Sequence, residues 1–100
     1  MNNALSLRVA SSHPCLPGHF PGNPIVPGVL ILNLVTESIL ARHPGCRAVS
    51  FPRVKFLSPV TPETEFILTW KSRPDGFIDF YCDNGNLRLV QGRIQIEETP

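Results

Sequence analysis

One hundred residues with a formal net charge of +1, 42% hydrophobic and 17% charged, describe one domain with a modest core that association would help. That balance gives no electrostatic case for nucleic acid or a polyanionic surface. Three scattered cysteines, Cys15, Cys46 and Cys82, form no CxxC pair, which argues against a disulfide framework or a zinc site and for reduced thiols in a cytosolic protein.

Leu5, Leu7 and Val9 alternate with Ser6, Arg8 and Ala10, the pattern of a strand with one buried face. Five prolines then fall between residues 13 and 27, a density that forbids a regular helix or a central strand. His19, Phe20, Ile25 and Val26 are interleaved with them, so the stretch reads as a rigid, packed loop and not as a polar linker. Pro27 suits the start of a helix, where its missing N–H costs little. The spacing predicts a helix from about Gly28 to Arg42, with Gly45 as its stop. Its first half is apolar nearly all round, so it is expected to be buried on all sides. Asn33 and Glu37, four apart, share one face of it.

The apolar run of this helix is interrupted by Asn33 and is far too short to span a bilayer. The N-terminus shows no basic region followed by an apolar stretch. The expectation is a soluble, cytoplasmic protein. Val54 to Ser58 and Phe66 to Lys71 alternate as strands, Asp75-Gly76 marks a tight hairpin, and Phe77 to Cys82 follows as a strand. After the turn at residues 83–86, Leu87 to Ile96 is the last strand, and its pattern slips phase at Leu89-Val90, the mark of a bulge. A helix apolar all round must be wrapped, and a curved antiparallel sheet folded around it is the economical α+β solution.

The stretch Gly18 to Leu32, with its Gly-His-Phe-Pro-Gly start and Pro-Gly-Val-Leu continuation, strongly resembles the signature of the hotdog-fold 3-hydroxyacyl-acyl-carrier-protein dehydratases. Val54 to Val60 resembles that family's strand after the helix, and the likeness runs from about Leu5 to Ile96. The chain looks most like the compact members of aryl-polyene and related specialised lipid pathways. The resemblance implies one hotdog domain over residues 1–100, a curved sheet around one long buried helix. It also implies an acyl tunnel between two protomers, an acyl carrier protein as partner, and no metal or other cofactor. A homodimer or higher homo-oligomer is expected, with a heterodimer also open. In that comparison the catalytic histidine corresponds to His19, and the helix carboxylate, supplied by the other protomer, falls on Asn33.

Loss of water from a 3-hydroxyacyl thioester needs a base for the C2 proton, a donor for the departing oxygen, and stabilisation of the thioester oxygen. An unperturbed imidazole titrates near ~6.5, so a histidine such as His19 is a residue type suited to the first task. The N–H of Gly28, at the positive end of the helix, suits the third. Asn33 can donate and accept hydrogen bonds but cannot exchange a proton. Three readings stay open: His19 acts twice while Asn33 orients the hydroxyl or a water, Glu37 substitutes one turn along, or dehydration has been lost. Phe20, Ile25, Val26, Pro27 and Leu30 are candidates for the acyl-binding wall, with the core as their alternative. Trp70 reads as core or interface. Arg42, Arg47, Arg53, Lys55 and Lys71 either meet the carrier near the tunnel mouth or are a solvated scatter. Two rivals remain: a thioesterase using Asn33 and Glu37 to position water, and a non-catalytic carrier-binding subunit or inactive half of a heterodimer.

Overall fold

Period-two alternation in the second half of the chain builds the sheet on which the rest is laid. The computed structural model describes residues 3–10 and 25–100. Its elements are β1 (Asn3–Leu7), α1 (Gly28–Leu40), β2 (Cys46–Phe56), β3 (Phe66–Ser72), β4 (Phe77–Asn84) and β5 (Leu87–Glu98). The strands form a single antiparallel sheet in the order β1-β3-β4-β5-β2, with the helix against one face. Phe66, Leu68 and Trp70 of β3, Ile78, Phe80 and Cys82 of β4, and Val90 and Ile94 of β5 point to that face and are buried. Trp70 is therefore core, with the Arg42 guanidinium 5.8 Å from its ring centre.

The predicted bulge is present. Cys82 faces Val90 but Asp83 faces Arg88, so Leu89 is the extra residue on β5. Both Leu89 and Val90 are buried, as the phase slip requires. β2 differs from expectation: it begins at Cys46, not at Val54. Its half-buried inner positions Cys46, Ala48 and Ser50 are small, so they give little hydrophobic alternation, and Pro52 interrupts the run. Pro52 is tolerated because β2 lies at the sheet edge, and the register with β5 shifts on either side of Ser50.

The helix also differs. It starts at Gly28 after Pro27, as predicted, but ends at Leu40, with Gly45 at φ +84° making the turn into β2. It is not buried on all sides. Ile31, Val35 and Ile39 are buried against the sheet, while Val29, Asn33 and Glu37 form an exposed stripe, Val29 at 68%. The physical reason is geometric. One five-stranded sheet covers one side of a helix, and the apolar character of Val29 hid the polar stripe in the sequence.

The outer face of the sheet carries a charged network over β4 and β5. Arg93 donates to Asp79 at 2.8 Å and Arg73 to the other carboxylate oxygen at 3.3 Å, while Arg53 lies directly opposite Arg93 on the neighbouring strand. These two hydrogen bonds, that to Arg93 foremost, hold the Asp79 carboxyl below the usual carboxylate range against the opposing effect of its partial burial.

Candidate functional site

The start of the helix is tied to the segment after β2. The Val26 N–H donates to the Val60 carbonyl at 2.8 Å, and both side chains are buried. The segment itself is held by the bulge on β5: the N–H groups of Leu57 and Ser58 donate to the Leu89 carbonyl at 2.8 and 3.2 Å. Between these two anchored stretches lies a cavity of about 490 Å³. Ile25, Val26, Gly28 and Ile31 line it from the helix side, and residues 56–60 line it from the other.

The wall is mostly apolar, with Ser58 and the backbone of the helix start as its polar parts. Leu30 and Ile31 both donate to the Pro27 carbonyl, at 3.1 and 3.3 Å, whereas the Gly28 N–H makes no hydrogen bond among the described residues. An orphan donor at a helix start carries part of the positive end of the helix dipole. In an apolar cavity it favours an oxygen bearing partial negative charge. The space beside it is also tight. A Cβ on Gly28 would stand 2.8 Å from the tip of the Phe56 ring.

Of the residues singled out from the sequence, Ile25, Val26 and Gly28 come together in this cavity. Pro27 caps the helix and is exposed, and Leu30 is half-buried against the core, so neither lines it. Asn33 and Glu37 are exposed and do not line it either. At 100° per residue, Asn33 points about 140° away from Gly28 around the helix axis. His19 and Phe20 lie outside the described residues, as do His13 and Cys15. The sequence reading missed Ile31 and the whole 56–60 wall. The available signal was the break in alternation at Phe56-Leu57, two adjacent large apolar residues ahead of Ser58-Pro59.

Cys82 is fully buried, and burial, followed by the neighbouring Asp83 charge, pushes its thiol up to about 12, so it stays protonated and inert. Cys46 is half-buried, and neither is in a disulfide. Among the described residues no three His, Cys, Asp or Glu side chains gather as a metal ligand set.

Comparisons with known proteins agree with this architecture. The ApeI-like family, described as ApeI dehydratase, matches residues 2–93. The 3-hydroxyacyl-acyl-carrier-protein dehydratase FabZ of Rhizobium rhizogenes is 30% identical over 93 residues, covering 82% of this chain and 59% of the relative. The chain thus spans about three-fifths of the length of that relative. Among solved structures, the dehydratase heterocomplex ApeI:P from Xenorhabdus doucetiae superposes with a TM-score of 0.83 at 25% identity, covering 95% of this chain and 86% of the other. A probable thioesterase from Bartonella henselae shares the fold at a TM-score of 0.71 and 18% identity, over 99% and 98% of the two chains. An antiparallel sheet laid on one helix, together with a family match running through all but the last strand's end, places this chain in the ApeI-like dehydratase family of the hotdog fold.

Proposed function

We propose that the protein removes water from 3-hydroxyacyl thioesters carried on an acyl carrier protein, giving trans-2-enoyl thioesters for fatty-acid-like or polyene biosynthesis in the cytoplasm. The observation that carries this reading is Gly28, whose N–H is unpaired among the described residues, lining a mostly apolar cavity of about 490 Å³ in a chain of a dehydratase family. A thioester carbonyl oxygen accepting from Gly28 would gain partial negative charge as the C2 proton leaves, and the helix dipole favours that change. His19 is the base that takes this proton. The apolar walls from Ile25, Val26 and Ile31 suit an acyl chain.

The remaining role, donor to the departing oxygen, belongs to a second chain. Asn33 points away from the Gly28 cavity of its own chain, on a stripe that also exposes Val29. Two helices set stripe to stripe would bring the Asn33 of one chain towards the site of the other. There the amide holds the leaving hydroxyl or a water by hydrogen bonds while His19 returns the proton. The free edge of β2, with Val49 and Phe51 exposed, supports pairing of two sheets. A relative of this fold is described as a heterocomplex, so the second chain is either another copy or a related one. Arg53, Lys55 and Lys71 are exposed on the outer face of the sheet and offer positive charge to the carrier. No described helix is long and apolar enough to cross a membrane.

The inability of Asn33 to exchange a proton favours one second reading, an inactive or accessory half of a heteromer. One experiment separates these. The protein is incubated with a 3-hydroxyacyl carrier and the product is weighed by mass spectrometry. Loss of 18 Da, the mass of water, that vanishes in His19→Ala is the expected result. Release of free acid without an enoyl product moves the assignment to a thioesterase. Carrier binding with neither product moves it to the accessory subunit.

A further inference from the structure

Phe56 stands where the side chain of any other residue at position 28 would go. Its three outermost ring carbons come within 2.8, 3.0 and 3.2 Å of the ideal Cβ position of Gly28. The ring therefore lies against the Gly28 Cα, one bond of about 1.46 Å from the Gly28 nitrogen. Its backbone is fixed, because Phe56 is paired with Val90 and the next two N–H groups are bound to the Leu89 carbonyl. Its side chain is 51% exposed and lines the cavity, so the ring borders the open side of the site. A fixed backbone with its ring beside a donor that no described residue pairs places Phe56 next to any group bound at Gly28.

We infer that Phe56 is a specificity-determining residue that restricts the site to acyl groups unbranched at C2. This rests on the reading that the Gly28 N–H receives the thioester carbonyl. An oxygen about 2.9 Å from that nitrogen brings the carbonyl carbon and C2 alongside the ring. A hydrogen on C2 fits there; a methyl needs the ring's space. Discrimination by one methyl group in an apolar site is commonly ~10- to 200-fold.

The test compares the unmodified protein with Phe56→Ala and Phe56→Leu on two carrier-bound substrates, 3-hydroxyacyl and 2-methyl-3-hydroxyacyl, of equal chain length. The readout is the ratio of kcat/KM for branched over unbranched substrate. Phe56→Ala is expected to raise that ratio at least about tenfold, with Phe56→Leu between it and the parent. An unchanged ratio in a folded Phe56→Ala overturns the assignment. Calorimetric binding of two unreactive amide-linked acyl pantetheines, branched and unbranched, gives the same ratio without turnover. Absence of dehydration by the parent protein overturns the proposed reaction, and the binding ratio then decides Phe56 by itself. Failure of both analogues to bind, or binding that leaves the Gly28 amide resonance unmoved, overturns the inference about Phe56.

Discussion

Two glycines with crowded surroundings should respond to alanine to different degrees. Gly92 of β5 lies between Val54 of β2 and Phe80 of β4. A Cβ there would stand 2.6 Å from the Arg53 carbonyl oxygen and 2.8 and 2.9 Å from two ring carbons of Phe80. Comfortable contacts between such atoms lie near ~3.5 Å, so the overlaps are about 0.6 to 0.9 Å. Neither neighbour can give way cheaply. The oxygen is backbone in a paired strand, and Phe80 has no exposed surface. Forcing a methyl into such a site costs about 1–3 kcal/mol, and removal of glycine from a strand returns only about 0.5–1 kcal/mol. With backbone as one clash partner, the upper half of that cost applies, and Gly92→Ala should lose about 1–2 kcal/mol. For a domain of this size that lowers Tm by about 5–15 °C. At Gly28 the crowding atoms belong to the tip of the half-exposed Phe56 ring, whose displacement costs less than moving backbone. The about 1 kcal/mol that a helix gains from alanine over glycine offsets that cost, so Gly28→Ala should stay within about 0.5 kcal/mol of the parent. Urea titrations with an unchanged m-value measure both. A Gly92→Ala protein as stable as the parent, or less affected than Gly28→Ala, would refute this account of the packing.

Asp79→Asn should cost on the order of 1 kcal/mol at neutral pH, because it removes the shared anion of the Arg73–Asp79–Arg93 network beside Arg53. The folded carboxyl is held below its ordinary value of 3.8, so its contribution is present above that pH and fades as the pH falls further; equal stability of both proteins at pH 7 refutes it. Cys82 shifts the other way, from 9.0 to about 12, so the unfolded chain ionises first as the pH rises. The stability advantage of the parent over Cys82→Val should be intact below pH 9 and decline between 9 and about 12, by up to ~4 kcal/mol; a flat difference over that range contradicts it. If active sites are shared between two copies, mixing inactive His19→Ala with Asn33→Ala should restore roughly a quarter of parental turnover, the share of intact sites expected from random pairing into two-fold dimers. Retained turnover in Asn33→Ala alone is subtracted first, and no gain on mixing opposes a shared site.

Most of the sheet was legible because its inner faces are large. Phe66, Leu68 and Trp70, then Ile78, Phe80 and Cys82, alternate cleanly, and the double step at Leu89-Val90 announced the bulge that the pairing contains. The first half of β2 was not legible, because Ala48 and Ser50 are too small to register as a buried face. The helix start was legible from Pro27-Gly28, since both residues have a local backbone reason to be there. The strand side of the cavity was not, for a different reason. Residues 56–60 become its wall through hydrogen bonds to Leu89 and Val26, contacts that depend on the whole sheet being closed. His19, the most informative residue of the motif, lies outside the described residues and keeps the standing the sequence gives it.

Asn33 is the position where sequence and structure bear on each other most. Read from the sequence, it is an amide in the middle of an apolar helix, where burial would demand hydrogen-bond partners. In the folded chain that demand does not arise, because Asn33 is exposed. Exposure removes the need for a structural explanation within one chain, yet Val29, one turn earlier on the same stripe, is 68% exposed and gains nothing from water. A stripe that mixes a large apolar residue with an amide and the Glu37 carboxylate is poor as a solvated surface and poor as a core. It is coherent as one half of a contact in which the apolar residue seals and the amide faces a polar group across the join. The group it would face follows from the other side of the helix: Gly28 lines its own cavity about 140° away, which is why the proposed role of Asn33 is at a cavity that another chain brings.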